Sequence, residues 1–364
     1  MIFGGASPEH DISILTGLQA ARALGAAGRE PLCLYWSKGG DWHEVDAGLE
    51  GSDFIDGVPR KARPLRLVAG PGGGFVAEGG ALRKERPLEI EACVVCCHGA
   101  PGEDGTLQGA LDLAGIAYTG PDLAGAALGM DKLAFGAVAA AAGLPVLPRV
   151  VAQATDGWSP PFDGPYIVKP RFGGSSIGIA IAADGPAIVA LLRNSVHLRS
   201  GAVVEPFLPD SADLEIAVRT YPELSLSALS RPQRVAKDEI YSYAQKYVGG
   251  EGMVSAPREM NPELPPGISD AVRAGARAIA GVGRLRGVAR VDFLLDDDRL
   301  YVNEVNTIPG SLAKHLWVDP PVSFPDLLAG MLEEAVRRPT TAWTTAGADG
   351  AALRSAGSIA SKLG

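Results

Sequence analysis

The sequence predicts a parallel α/β first third followed by two antiparallel α+β units. Three observations predict it. Strand-like and helix-like segments alternate β-α-β over about the first 120 residues, the pattern of a parallel sheet with helices on both faces. After Asp131, short strands punctuated by glycine and proline replace that alternation. Residues 286–310, RGVARVDFLLDDDRLYVNEVNTIPG, then read as a strand, an aspartate-rich turn and a second strand.

Each element has its own signal. Met1-Ile2-Phe3 is an apolar strand, Gly4-Gly5 a turn, and Ser7, Pro8 and Glu9 open a helix through Leu24. PLCLYWS (31–37) is a second strand. Residues 38–90 read as irregular. Within them GPGGG (70–74) is a hairpin turn rather than a phosphate loop, because no helix with Lys and Ser/Thr follows it. ACVVCCHG (92–99) is a third strand ending in a polar loop, and LQGALDLAGI is a helix. Ligands of such sheets bind beyond the carboxyl ends of the strands, where Glu9 and His98 sit. Lys132 to Ala142 form an Ala-rich helix ended by Gly143 and Pro145. Strands follow at 149–152, 165–170, 176–182 and 202–208, with a helix at 186–194, and 214–221 begins another sheet. Residues 269–283 carry a 3.6-residue apolar period and end in glycine, so they form a helix. Residues 326–338 are the last clear helix, and the Ala/Thr/Ser/Gly stretch after 340 reads as a disordered tail.

Composition narrows the function. The chain has 364 residues, 46% of them apolar, enough for two or three domains with sizeable cores. A net charge of −9 argues against general nucleic-acid binding. No apolar run is long enough for a membrane span, and the start shows no signal peptide. Cys33, Cys93, Cys96 and Cys97 read as buried reduced thiols, which suits a reducing cytoplasm.

The chemistry-bearing residues cluster in a few places. Residues two apart on a strand share a face, so Glu304 and Asn306 point together, and antiparallel pairing can bring Asp292 beside them. Three hard oxygen donors suit a magnesium site that leaves positions open for water and phosphate. A solvated acidic hairpin accounts for Asp296, Asp297 and Asp298, but not for three polar groups set among Val291, Phe293, Val302 and Val305. RFGGSSIG (171–178) is a Gly/Ser turn of the kind that covers phosphates, with Gly174, Ser175 and Ser176 supplying N–H and hydroxyl donors. Lys169, inside the apolar strand YIVKP, calls for a phosphate or carboxylate partner. Lys132, taken alone, reads as a surface lysine. His98 reads equally as a ligand-binding group and as a histidine bonded within its own loop. IYSYAQKYVGGEG (240–252) looks like a flap laying polar groups over a site.

These pieces, in this order, resemble one family. GGASPEHDIS, HGAPGEDGTLQGALDLAGIAYTG, MDK, VKPRFGGSSIG, VVEPFL, AQKY, ARVDF and NEVNTIPG resemble the motif series of the D-alanine–D-alanine ligases, of the ATP-grasp superfamily, over about residues 1–335. The resemblance implies an N-terminal α/β substrate domain (1–125) and a central ATP-grasp subdomain (126–212). A C-terminal subdomain (213–340) carries a lid at 238–254, and a tail (341–364) follows. ATP would lie between the two antiparallel subdomains, with Mg2+, or Mn2+ in its place. One D-alanine carboxylate would be phosphorylated and coupled to a second amine. Partners would be small amino acids, with neither nucleic acid nor membrane, and a homodimer is the family habit.

The resemblance also assigns residues. Glu9 would grip the first ammonium and orient a Ser175–Tyr247 pair, with His98 near that substrate. Lys132 and Lys169 would meet ATP phosphates, helped by Gly174 and Ser176 of the loop and Lys246 of the lid. Glu205, Phe207 and Leu208 fall in the adenine hinge, and Asp213 near the ribose. Arg290 and the Gly310 N–H would stabilise the tetrahedral intermediate. Asp292, Glu304 and Asn306 match the magnesium ligands.

The acceptor side departs from the family. His315 falls where a serine is expected to bind the second carboxylate, and with Lys314 and Trp317 it makes a bulkier, more cationic pocket. D-alanine remains the leading acceptor, and a specialised ligase with another amine is the alternative. Tyr247 goes with dipeptide rather than D-lactate products. The intact set of lysines, Arg290 and metal ligands argues against a non-catalytic ATP-binding regulator.

Overall fold

The computed structural model describes residues 1–79, 84–233, 257–341 and 343–359. Strands β1 (Ile2–Gly4) and β2 (Cys33–Trp36) run parallel with α1 (His10–Ala26) between them, as expected. The next stretch corrects the expectation. Residues 38–90 are not irregular but form an antiparallel meander of β3 (Trp42–Val45), β4 (Arg63–Val68), β5 (Gly74–Ala77) and β6 (Arg86–Pro87). The sheet is therefore mixed, in the order β1-β2-β3-β4-β5-β6. Only scattered large side chains mark these strands. Leu65 and Phe75 are buried, and Trp36 stacks on Trp42 at 4.8 Å. Glycines 70, 72 and 74 take positive φ at the β4–β5 turn, so GPGGG is the hairpin its composition indicated.

β7 (Ala92–Cys93) continues along β1 through a parallel Ile2–Val95 bridge and pairs with β8 (Ala117–Tyr118) after α2 (Thr106–Ala114). All four cysteines are buried and unoxidised. Next come α3 (Leu123–Met130) and α4 (Lys132–Ala141). Asp131 caps α4 by accepting from the N–H groups of Leu133 and Ala134.

Two antiparallel sheets follow. The first has the order β11-β10-β12-β9, from β9 (Val150–Val151), β10 (Tyr166–Pro170), β11 (Ala180–Ala182) and β12 (Ala202–Pro206), backed by α5 (Gly185–Asn194). The expected strand 176–182 shrinks to its last three residues, because Ser175 and Ser176 adopt left-handed backbone, φ 52° and 59°. The second sheet, β15-β14-β13-β16-β17, comprises β13 (Ala212–Arg219), β14 (Ser225–Pro232), β15 (Arg258–Met260), β16 (Val288–Asp296) and β17 (Arg299–Asn306). α6 (Ile268–Val282) packs on its apolar face through Val272, Ala276 and Ile279.

The long helix α7 (Phe324–Arg337) leaves this sheet. It packs Leu327, Leu328 and Met331 into the first core, beside α1, β7 and β8. A short helix α8 (Ala351–Ser355) in the tail buries none of its residues. No helix among the described residues is long and apolar enough to cross a membrane.

Candidate functional site

β16 and β17 set the acidic row by register. Asp292 pairs directly with Glu304, Arg290 with Asn306, and on the other side Asp292 with Glu215 of β13. Val291, Phe293 and Leu295 alternate into the core, leaving Arg290 and Asp292 on the opposite face. On β17 the core takes Val302 and Val305, three residues apart, which strict alternation forbids. A bulge absorbs the extra residue, as the register skips from Asp292–Glu304 to Phe293–Val302. Asn303 and Glu304 therefore both turn toward the site. Sequence reasoning missed Asn303, although the spacing of the two valines signals it.

Lysines from the other sheet meet this row. Lys132, at the start of α4, is 6% exposed rather than a surface lysine. Its Nζ donates to the Gly173 carbonyl at 2.5 Å and lies 3.1 Å from Glu304 Oε2. Lys169 Nζ donates to Glu205 Oε2 at 2.8 Å and to Asn303 Oδ1 at 3.1 Å. Glu205, one of the most buried charges at 1% exposure, also accepts from Arg149 Nε at 2.5 Å. Burial alone would raise its carboxyl, but Lys169 and Arg149 outweigh that and hold it below the ordinary value. Arg149 further donates to the Lys132 and Asn303 carbonyls, joining the two sheets. Arg149 carried no sequence signal, since its partners lie 17 to 154 residues away.

A cavity of about 860 Å³, open to solvent, lies over these groups. Its walls include Lys169, Ser176, Glu205, Phe207, Leu208, Asp213, Arg290, Asp292 and Glu304. Of the hinge backbone, Phe207 N–H donates to Pro165 and the Leu208 carbonyl accepts from Ser211. A larger, shallower groove of about 1480 Å³ beside Met1, Glu89 and Arg337 carries none of the residues above.

Arg290 grips Asp292 with both arms, at 2.7 and 2.6 Å, and Asn306 Nδ2 donates to Asp292 Oδ2 at 2.9 Å. Burial raises the Asp292 carboxyl, Arg290 opposes this, and Glu215 and Glu304 add to the rise. Asp292, Glu304 and the Asn306 amide oxygen are the hard donors that magnesium takes, so the set fits such an ion. Among the described residues Asp292 Oδ1 accepts a single hydrogen bond, from Arg290 Nε, which leaves it a lone pair to offer a cation. Among the described residues no group of three or more His, Cys, Asp or Glu could hold a metal, so the set is two carboxylates and one amide.

The first-substrate end lies beyond. Ser175 Oγ donates to Glu9 Oε1. A Cβ on Gly99 or Gly174 would sit 2.7 or 2.9 Å from Glu9 Oε2, so both positions need glycine to let the carboxylate through. His98 is buried, with both ring nitrogens given to protein. Nδ1 lies 2.8 Å from the Ile308 carbonyl and Nε2 2.8 Å from Thr16 Oγ1. Burial lowers its pKa to about 4, so the ring is neutral. The ring bonds to Thr16 and Ile308 rather than within its own loop, which overturns that reading of His98. Glu103, missed by sequence reasoning, accepts from Gly99 N–H, Ile308 N–H and Thr307 Oγ1 at 3.1, 2.8 and 3.2 Å. Burial, reinforced by Glu9, raises its carboxyl to about 7.

At the far end, Gly310–Leu316 forms a tight turn in which Ser311, Leu312 and Ala313 take φ of 48–50°. Both ring nitrogens of His315 and the Trp317 indole N–H are buried without a hydrogen-bond partner among the described residues. Burial, then Arg258, Arg290 and Lys314, hold the His315 pKa well below the ordinary value. Burial also lowers that of Lys314, whose ammonium lies 4.9 Å over the Phe324 ring. Lys246 and Tyr247 lie outside the described residues.

Comparison with known proteins agrees with this geometry. Residues 1–121 match the family described as D-ala D-ala ligase N-terminus, and residues 140–333 match D-ala D-ala ligase C-terminus. The D-alanine–D-alanine ligase of Mycobacterium sp. (strain KMS) is 32% identical over 363 residues, covering 93% of this chain and 96% of its own. That of Chlorobaculum tepidum is 31% identical over 331 residues, covering 85% and 87%. Among solved structures, D-alanyl-alanine synthetase A of Vibrio cholerae superposes with a TM-score of 0.76 at 21% identity, covering 93% and 97%. The VanG D-Ala:D-Ser ligase of Enterococcus faecalis gives 0.70 at 22%, covering 92% and 98%.

Proposed function

The chain belongs to the D-alanine–D-alanine ligase family, and from that premise we propose how its own residues carry out ATP-dependent ligation on the ATP-grasp fold. One observation carries the reading. Lys132 and Lys169 converge on the row Glu205, Asn303 and Glu304, with Arg290 and Asp292 adjoining, over one open cavity. Three hydrophobic cores accord with three units, although Phe135 and Ala139 of α4 pack in the core of the second antiparallel sheet and both α7 and residues 308–317 return to the first core, so the cores do not follow the bounds 126–212 and 213–340.

A carboxylate is a poor electrophile, and phosphorylation by ATP makes it an acyl phosphate. Lys132 and Lys169 offset charge on the transferring phosphoryl group, with Lys246 of the lid segment, Gly174 and Ser176 assisting. Glu205, Phe207, Leu208 and Asp213 bound the nucleoside end. Asp292, Glu304 and Asn306 would hold magnesium, or manganese, which when bound would supply Lewis-acid neutralisation of the phosphates. Glu9, with Ser175 and Tyr247, holds the ammonium of the first D-alanine.

The second amine then attacks the acyl carbon. The C–N bond forms, the C–O bond to phosphate breaks, phosphate departs and the amine loses a proton. Arg290 and the Gly310 N–H receive the transient oxyanion. Four buried thiols fit action in the cytoplasm, and a homodimer follows family habit.

A second reading concerns the acceptor alone. By the resemblance His315, beside Lys314, falls where the family's serine is expected to bind the acceptor carboxylate, and its ring nitrogens, unpartnered among the described residues, favour an acceptor chosen differently from D-alanine. Incubation with ATP, magnesium and pairs of D- and L-amino acids, read by ADP release and product mass, tests both. D-alanyl-D-alanine is the expected product. A mixed product would move the assignment to the second reading, and no release with any pair would sink both.

A further inference from the structure

The turn that carries the Gly310 N–H is held by side chains from the opposite end of the chain. Ile308 N–H donates to Glu103 Oε1 at 2.8 Å, and Thr307 Oγ1 donates to the same oxygen at 3.2 Å. The Ile308 carbonyl can only accept, so His98 Nδ1 carries the proton that bridges them at 2.8 Å. His98 Nε2 is then an acceptor, and Thr16 Oγ1 donates to it at 2.8 Å. Thr16 Oγ1 in turn accepts from Ser311 N–H at 3.2 Å. The bonds form one directed chain that grips the residues on both sides of Gly310.

Little slack remains between the grips. Pro309 has a fixed φ of −69° and no N–H. Ser311, Leu312 and Ala313 follow with left-handed backbone that none of them favours, a state that persists only where the surroundings over-determine it. Gly310 N–H has no hydrogen-bond partner among the described residues. Its direction is therefore set by the groups around it. Glu103 is itself seated on Gly99 N–H at 3.1 Å, and Gln108 braces that loop through Gly102 and Gly105.

We infer that Glu103, bonded directly to Thr307 and Ile308, and Thr16, bonded to Ser311 N–H and acting on Ile308 through His98, are positioning residues that aim the Gly310 N–H at the oxyanion of the coupling step. The inference rests on the ligase reading above. It separates the two half-reactions, because acyl phosphate formation does not call on Gly310 and amine attack does.

Two variants of the full chain test it. Glu103→Gln turns an amide N–H₂ toward a site where all three partners donate, and Thr16→Val removes the hydroxyl without changing shape. Each should lower kcat for dipeptide formation on the order of 10²-fold, the cost of a misplacement near 1 Å. KM for ATP and D-alanine-dependent positional isotope exchange in ATP, which reports acyl phosphate formation, should stay within about twofold of the unaltered protein. Thr16→Ser keeps the hydroxyl and should restore kcat. Undiminished kcat in both variants, or an equal loss in the exchange, would overturn the assignment while leaving the ligase reading intact. Absence of D-alanine-dependent exchange in the unaltered protein would overturn the ligase reading beneath it. If Glu103→Gln does not fold, Thr16→Val applies the same test from the other end of the chain of bonds.

Discussion

The two ends of the site differ in how their charges are satisfied. At the proposed ATP end each of the described lysines and Arg149 has a carboxylate: Lys169 and Arg149 share Glu205, and Lys132 faces Glu304. At the proposed acceptor end Lys314 lies over an aromatic ring, and His315 and Trp317 keep buried polar atoms with no hydrogen-bond partner among the described residues. A buried unpaired polar atom costs about 1–3 kcal/mol, so such atoms persist where something else completes them. On the proposed assignment the paired end is preorganised for a ligand whose charge is constant, and the unpaired end would be completed by its ligand, where selectivity would arise.

The largest effect should come from breaking the paired end at its metal position. Glu304→Gln removes a proposed magnesium ligand and the partner of Lys132. ADP release should fall about a thousandfold, the several kcal/mol that such an ion contributes. Retained turnover would refute the metal assignment.

Lys169→Met attacks the same end through stability. Glu205 keeps Arg149 but loses half its compensation at 1% exposure. The loss should be about 3 kcal/mol, read by urea unfolding. No change would mean that Arg149 alone carries the carboxylate.

Between the two ends, His98 predicts a pH dependence. Its pKa is lowered from 6.5 to about 4 in the folded chain by burial, with the nearby Arg290 charge adding to the fall. The neutral ring therefore favours the folded state above pH 6.5. About 3 kcal/mol is lost as pH falls from there through 4. His98→Gln should remove this contribution, so that stability falls less, or even rises, as pH drops through that range, where the raised Glu103 carboxyl acts in the opposite direction; a slope unchanged by the substitution would place the acid sensitivity elsewhere.

The smallest effect should come from the unpaired end. Lys314→Met removes a cation with no carboxylate partner, so stability should hold. KM for the acceptor should rise roughly tenfold, or 1.4 kcal/mol, with KM for ATP unmoved. Steady-state kinetics varying each substrate in turn would separate the two, and a shift in ATP KM would dissolve the contrast between the ends.

The Asp292–Glu304–Asn306 row was legible because strand alternation is local: two residues apart means one face, and the aspartate-rich turn names the hairpin. The helix over 269–283 and the buried cysteines were legible for the same reason. The meander within 38–90 was not, because its strands are short and held by cross-strand partners such as Trp36 and Trp42 rather than by a period. Lys132 looked like a surface lysine because its burial depends on β17, far along the chain. Glu205 was read only as part of an adenine hinge, whereas its carboxylate joins Lys169 to Arg149.

Outside residues 38–90, the sequence by itself therefore determined the order of the main elements, the register of Asp292, Glu304 and Asn306 and the Gly/Ser loop, all set by spacings of a few residues. Tertiary structure alone decided which charges pair, that Asn303 turns inward at a bulge, and that Glu103 and His98 hold a turn some 200 residues away. Burial is what decides these pairings. A carboxylate or imidazole taken out of water must find partners wherever the fold brings them, and no local spacing encodes that choice.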